Sequence, residues 1–251
     1  MSEPMKLPEN YNPETHLLSK TTENGKFHES RGGTSFARRL MANGHPDDIA
    51  LAHKVLEATL ACQETMESDP HYGNFYWMAE DDTVGDLNAV EFCLESLIPM
   101  MTDNADKLKP EMRERVFHAI RLGLGEIARL DVRVSYSNIT MLDILNTCLG
   151  GELLADDTIA KRGYDKLNDW IVFTDRSGTP REYNSPTYTR VCVSALGILS
   201  RYLKDETSRV RAKTFAARIG ITIGLHIHPA TGRWAGPHSR AYHPTVICEG
   251  P

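Results

Sequence analysis

Ser135 to Leu145 reads SYSNITMLDIL, a polar-aromatic turn that passes directly into an apolar run of helical period. The same transition occurs in GNFYWMAEDDTVGDLNAVEF (Gly73 to Phe92), in REYNSPTYTRVCVSAL (Arg181 to Leu196) and in GRWAGPHSRAYHP (Gly232 to Pro244). Asn88, Asn138, Tyr188 and His238 recur in these segments at intervals of 50 residues, the length of a helix-loop-helix-loop unit. A period of that size is the mark of a repeated helical hairpin. The spacing predicts an all-α chain, a curved array of hairpins with its decorated loops gathered on one rim.

Working outward, the apolar positions predict seven helices. The first opens at Pro46-Asp47 and runs past Leu60 to Met66; the second is capped by Asp86 and strained at Pro99. The third starts at Pro110 and ends near Asp131. The fourth is capped by Ser137 or Asn138 and stopped by Gly150-Gly151. The fifth opens at Asp156 or Asp157, the sixth carries Val191 to Tyr202, and the seventh runs from Glu206 to the His226-Ile227-His228-Pro229 stop. Residues 1–44, rich in Pro, Asn, Glu and Thr, read as a partly irregular arm with RGGTSFARRL its one local helix; residues 45–251 read as the helical domain. Seven helices leave a fourth hairpin half made. The chain is therefore expected to be the N-terminal part of a longer one, with Phe215, Ile219 and Ile223 exposed as a patch for a missing half or a second copy.

Composition narrows the function classes. The chain has 251 residues, 41% hydrophobic and 25% charged, with a formal charge of −6. Its basic residues are interleaved with acidic ones, which argues against a nucleic-acid surface. Five scattered cysteines, without a Cys-x-x-Cys pair, read as buried thiols in a reducing compartment. With no apolar leader and no run of roughly 20 apolar residues, a cytoplasmic location and no membrane partner are expected.

The loops hold the chemistry. Tyr136 and Asn138 stand at a helix start, where Asn138 serves as a cap, a ligand-facing amide, or both. Glu182, Tyr183, Asn184 and Tyr188 crowd around Pro186, either as a rigid turn with aromatic plugs or as part of a site. The last segment brings Arg233, Trp234, His238, Arg240, Tyr242 and His243 together. There one histidine suits acid–base work, Arg240 suits an anion and Trp234 a stacked sugar. A divalent metal at His226, His228, His238 and His243 is the weaker reading, because no carboxylate completes the set. Glu80, Asp81, Asp82 and Asp86 read either as a glycosidase-like carboxylate pair or, more simply, as partners of a helix dipole. Trp77 and Asn88 join the substrate-binding candidates.

On its 50-residue hairpin period and the loops SYSNI, EYNSPTY and GPHSRAY, the chain resembles, over residues 45 to 245, the (α/α) toroid enzymes: polysaccharide lyases, several glycosidases and sugar epimerases. The fold this implies is an incomplete toroid, and the activity a carbon–oxygen lyase acting on an acidic carbohydrate or polyol. By the same resemblance Asn138 and Asn184 would neutralise a uronate carboxylate, His238 would remove the proton alpha to it, Tyr188 would protonate the departing oxygen, and Arg240 would clamp the anion. No cofactor is implied, and the partner is a small-molecule or oligosaccharide substrate. The alternatives are an intracellular isomerase, dehydratase or cyclase of a small metabolite, and a helical-repeat binding scaffold without catalysis.

Overall fold

The computed structural model describes residues 3–242. The chain is mostly helical. A hairpin of β1 (Leu18–Thr22) and β2 (Gly25–Glu29) precedes α1 (Ser30–Asn43), α2 (Pro46–Leu60), α3 (Ala89–Asn104), α4 (Pro110–Leu130), α5 (Ser137–Leu154), α6 (Asp157–Ser177), α7 (Tyr188–Tyr202) and α8 (Glu206–Leu225). These elements fall into two compact units, Met1–Asp131 and Val132–Pro251. Among the described residues no helix is long and apolar enough to cross a membrane.

In the first unit α1 packs on α2 and α3, and α4 lies against α3 and α2. Residues 1–44 thus carry more order than the sequence shows: an antiparallel hairpin pairing Leu18 with Glu29, and a helix with Phe36, Ala37, Leu40 and Met41 fully buried. α2 stops at Leu60 and does not continue to Met66. Beyond it the backbone turns to pair with the next loop, the Tyr76 N–H donating to Cys62 O at 2.8 Å and the Glu64 N–H to Asn74 O at 2.8 Å. The Gln63 amide fixes that turn by donating to Gly73 O and Ala119 O. α3 runs through Pro99 to Asn104, with Asn88 in place of Asp86 at its cap position.

The second unit is organised around α5, which packs between α6 and α7, while α8 lies against α7 and α6. Every residue from Ser137 to Gly151 is buried. A helix buried on every side belongs in the middle of a core, not on its surface. The helix passes through Gly150-Gly151 instead of stopping there, and Gly151 serves close packing. A Cβ on Gly151 would run into the Ala160 backbone of α6, and one on Gly163 would lie 2.6 Å from Cys148 N. α5 ends instead at Ala155, in the left-handed region at φ 54°. Asp156 then caps α6 by accepting from the Thr158 and Ile159 N–H groups.

The patch expected on the last helix is placed differently. Phe215 and Ile219 are 6% and 5% exposed and Ile223 is half-buried, and the Phe215 ring meets Trp170 of α6 edge-on with centroids 5.4 Å apart. The face they occupy is turned towards α6 within the same unit. The apolar residues that α8 leaves in solvent are Val210, Ile221 and Leu225. Cys62, Cys93, Cys148 and Cys192 are buried free thiols; burial pushes Cys62 up to about 11 and Cys93 and Cys192 up to about 12. Cys248 lies outside the described residues.

Candidate active site

Three of the four decorated loops belong to Val132–Pro251, and hydrogen bonds stitch them together. The start of α5 has no side-chain cap of its own: Tyr136 occupies the cap position and Asn138 lies inside the first turn. Glu182, from the loop before α7, takes over that role, its Oε2 accepting from the Asn138 N–H at 3.0 Å. A carboxylate there satisfies an orphan donor and meets the positive end of the helix dipole. Ser137 Oγ accepts in return from the Arg181 N–H at 3.0 Å. The third loop is tied to the second by the Ser239 N–H donating to Tyr183 O, and by Asn184 Nδ2 donating to Ala235 O and Pro237 O at 2.9 and 3.0 Å.

On this frame Arg240 draws three groups into one cluster. Its Nη1 donates to Glu182 Oε1 at 3.3 Å, its Nη2 to the Tyr188 hydroxyl at 3.1 Å and its Nε to the Tyr242 hydroxyl at 2.7 Å. The two phenol oxygens are 2.8 Å apart, and the guanidinium lies 4.6 Å from the Tyr188 ring centroid. Arg240 carries five N–H donors, and these bonds use three of them among the described residues.

The electrostatics are uneven within the cluster. Burial, followed by the bond with Tyr242, pushes Tyr188 up to about 12. The Tyr188 hydroxyl, with Arg240 behind it, holds Tyr242 below the ordinary tyrosine value. Burial also raises the Glu182 carboxyl, against the opposite pull of the Asn138 N–H and the Arg240 guanidinium. The backbone is strained at the same place: Asn184, Arg240 and Tyr242 have φ of 50°, 47° and 59°. Asn tolerates the left-handed region; Arg and Tyr adopt it only where their surroundings impose it.

The remaining candidates divide. Both ring nitrogens of His238 face carbonyl oxygens, Nδ1 that of Asn184 at 2.8 Å and Nε2 that of Trp234 at 3.1 Å. The Asn184 contact ties the last loop to the loop before α7, and the Trp234 contact closes the last loop on itself. His226 donates from Nδ1 to Thr222 O, and its Nε2 accepts from the Tyr183 hydroxyl at 2.8 Å. His228 Nδ1 lies 3.0 Å from Thr231 Oγ1. Among the described residues no three His, Cys, Asp or Glu side chains are grouped so as to hold a metal ion, and His243 lies outside those residues. Tyr136 is 38% exposed at the head of α5.

Trp77 and Asn88 belong to the other unit. The face of Trp77 is covered by the Arg31 guanidinium 4.6 Å from its centroid, with Phe92 edge-on at 5.8 Å. Asn88 Nδ2 donates to Asp86 Oδ1 at 2.9 Å. Glu80 pairs with His28, which ties this loop to β2, and Asp81 Oδ2 accepts from the Met78 N–H. These acids hold the loop together.

The sequence reading did not single out the buried charges of α5 and α6. Asp143, 0% exposed, binds Arg162 Nη1 at 2.7 Å, Lys166 Nζ at 2.6 Å and Thr147 Oγ1 at 3.0 Å. A lone carboxylate inside the apolar run MLDIL was the available signal, with Arg162 and Lys166 one helical turn apart as its counterpart.

No curated protein and no solved structure matches the chain. A family model described as "Domain of unknown function (DUF8769)" matches residues 2–246, and the chain belongs to that family.

Proposed function

We propose that the chain is an acid–base enzyme of the cytoplasm, a carbon–oxygen lyase acting on an acidic carbohydrate or polyol, with its helical hairpins forming part of an (α/α) toroid. The observation that carries this reading is the pair of phenols, Tyr188 and Tyr242, hydrogen-bonded to each other and both to Arg240. The lowered phenol of Tyr242 serves as base and the raised phenol of Tyr188 as acid, an arrangement in which neighbouring groups are pushed apart for opposite tasks.

In such a site the substrate carboxylate accepts from the two remaining N–H groups of Arg240. The Tyr242 phenolate takes the proton alpha to that carboxylate. The released electron pair forms a carbon–carbon double bond and breaks the bond from the beta carbon to oxygen, and the departing oxygen takes the Tyr188 proton. Tyr242 is then protonated and Tyr188 ionised; transfer across the 2.8 Å oxygen–oxygen bond restores the starting state with no co-reactant. Positive charge fixed beside the developing enolate is the largest catalytic contribution expected here. His238 and Asn184 hold the loops that present these groups.

The test is turnover of uronic-acid oligomers, followed by the ultraviolet absorbance of the unsaturated uronate that elimination forms. Tyr188→Phe is expected to lose about 10²–10⁴-fold in rate with its melting temperature nearly unchanged. Full activity in that variant, or no elimination from any uronide, would overturn the proposal.

A further inference from the structure

α8 carries apolar residues on two opposite sides. At about 100° per residue, Ser208, Ala212, Phe215 and Ile219 share one side, and that side is buried. Val210, Thr214, Ala217, Ile221 and Leu225 share the other, inside a sector of roughly 80°. All five are exposed, Val210 at 54%, Ile221 at 66% and Leu225 at 82%. A Cβ placed on Gly220 or Gly224, next to this stripe, would meet no atom within 4 Å among the described residues. A helix with apolar residues on both sides is ordinarily covered on both, and here one side is bare.

The charges along α8 say what fits there. From Thr207 to Leu225 the helix has no acid. Its cations, Arg209, Arg211, Lys213 and Arg218, lie in the earlier part, Arg218 being paired with Asp175, and the final run IGITIGL (Ile219 to Leu225) is uncharged. Arg211 and Lys213 fall on the two edges of the stripe. The stripe also matches itself in reverse, with bulky residues at both ends and Ala217 in the middle. Two copies laid antiparallel about Ala217 bring Val210 of each against Gly224 and Leu225 of the other, and lay each charged half along an uncharged one. At about 1.5 Å per residue the two Lys213 positions are then roughly 12 Å apart along the axis, beyond the ~8 Å screening length of physiological salt. A parallel pair would set them level across an interaxial distance of about 8–10 Å, like charge against like charge. An acidic helix from another protein would meet the edge cations but find no charge to pair with along Ile219 to Leu225, whereas a second copy suits both halves.

We propose that this face of α8 pairs with the same face of a second copy of the chain, as an isologous dimer whose two helices run antiparallel and cross at Ala217. The pairing occupies the face it is made from, so assembly stops at two. One helix from each copy is a small interface, and the dimer is expected to be concentration-dependent, with a dissociation constant of roughly 1–100 µM.

Sedimentation of the full-length protein from about 1 to 300 µM reads this directly. The expected result is a passage from monomer to dimer across that range. In Ile221→Glu the passage should move at least about tenfold upward, since a carboxylate would have to be desolvated in the interface, while circular dichroism shows the helical content retained because the side chain stands in solvent. If that variant folds poorly, Val210→Glu supplies the same comparison. Orientation is read by single cysteines in a Cys248→Ser background under a mild oxidant. Ala217→Cys should give a disulfide-linked dimer, and Leu225→Cys, roughly 24 Å from its counterpart along the axis, should not. A monomer at every concentration, a dimer that both glutamate variants leave intact, or cross-linking through Leu225→Cys as readily as through Ala217→Cys would each overturn the proposal. So would a monomer that binds phosphatidylserine vesicles and loses them in Ile221→Glu, which would assign the stripe to a membrane surface.

Discussion

Two charged clusters within Val132–Pro251 use the same chemistry in opposite surroundings. Asp143, Arg162 and Lys166 meet between two regular helices, with the carboxylate fully buried and the lysine side chain 9% exposed. Glu182 and Arg240 meet on loops, with the arginine side chain 47% exposed and left-handed backbone at Arg240 and Tyr242. Removing one member of a buried pair typically costs about 3–5 kcal/mol, whereas an exposed pair contributes about 0–1 kcal/mol. Each strained residue costs of order 1–3 kcal/mol, more than the Arg240 ion pair offsets. The first cluster is explained by the fold it holds together. The second sets its hydrogen bonds and ring contacts against that strain, and it is where the proposed function is assigned.

Mutations sharpen the contrast, beginning with the largest effect. Asp143→Ala should lower unfolding stability by about 3–5 kcal/mol, because it withdraws the carboxylate facing two cations in the core. Chemical denaturation measures this, and a loss under about 1 kcal/mol would erase the distinction between the clusters. His238→Ala should cost about 1–3 kcal/mol, because the buried carbonyl that accepts from the ring loses its donor. If this variant melts like the wild type yet loses all turnover, His238 is the base and not a clamp.

The smallest effect belongs to Asp205, which caps α8 by accepting from the Ser208 N–H at 2.7 Å; Asp205→Ala should cost about 1 kcal/mol. That bond holds the Asp205 carboxyl below its ordinary value of 3.8. Its stabilisation is therefore present above the unfolded value and is lost as the pH falls through the lower folded one. The Asp205→Ala deficit should accordingly shrink in acid, as melts at descending pH would reveal.

The helical order was largely legible in the sequence, whereas the buried cluster at Asp143 was not singled out. Apolar period, Pro110 at a helix start and the acids at Asp156 and Glu206 located the seven helices from Pro46 onward, since each signal is local. The hairpin Leu18–Glu29 was missed because its stability comes from contacts made elsewhere, such as His28 with Glu80, 52 residues away. Gly150-Gly151 read as a stop because a sequence cannot tell a glycine needed for a turn from one needed for the approach of another helix. At the site, residue types were readable and roles were not. Nothing local distinguishes a histidine with a free nitrogen from His238, whose two partners lie four and 54 residues away. Nor does EYNSP announce that Glu182 will cap a helix that begins 45 positions earlier.

The central claim is that Arg240 and the paired phenols form a proton-transfer site, and ionisation of the two tyrosines tests it without any substrate. Carbon-13 labels at tyrosine Cζ, titrated in the wild type and in Arg240→Gln, report each phenol separately. The account predicts that Tyr242 ionises below the ordinary value of 10.0 and Tyr188 only near about 12, and that Arg240→Gln moves Tyr242 back upward. Two phenols that titrate together with the remaining exposed tyrosines, unaltered by the loss of Arg240, would contradict it.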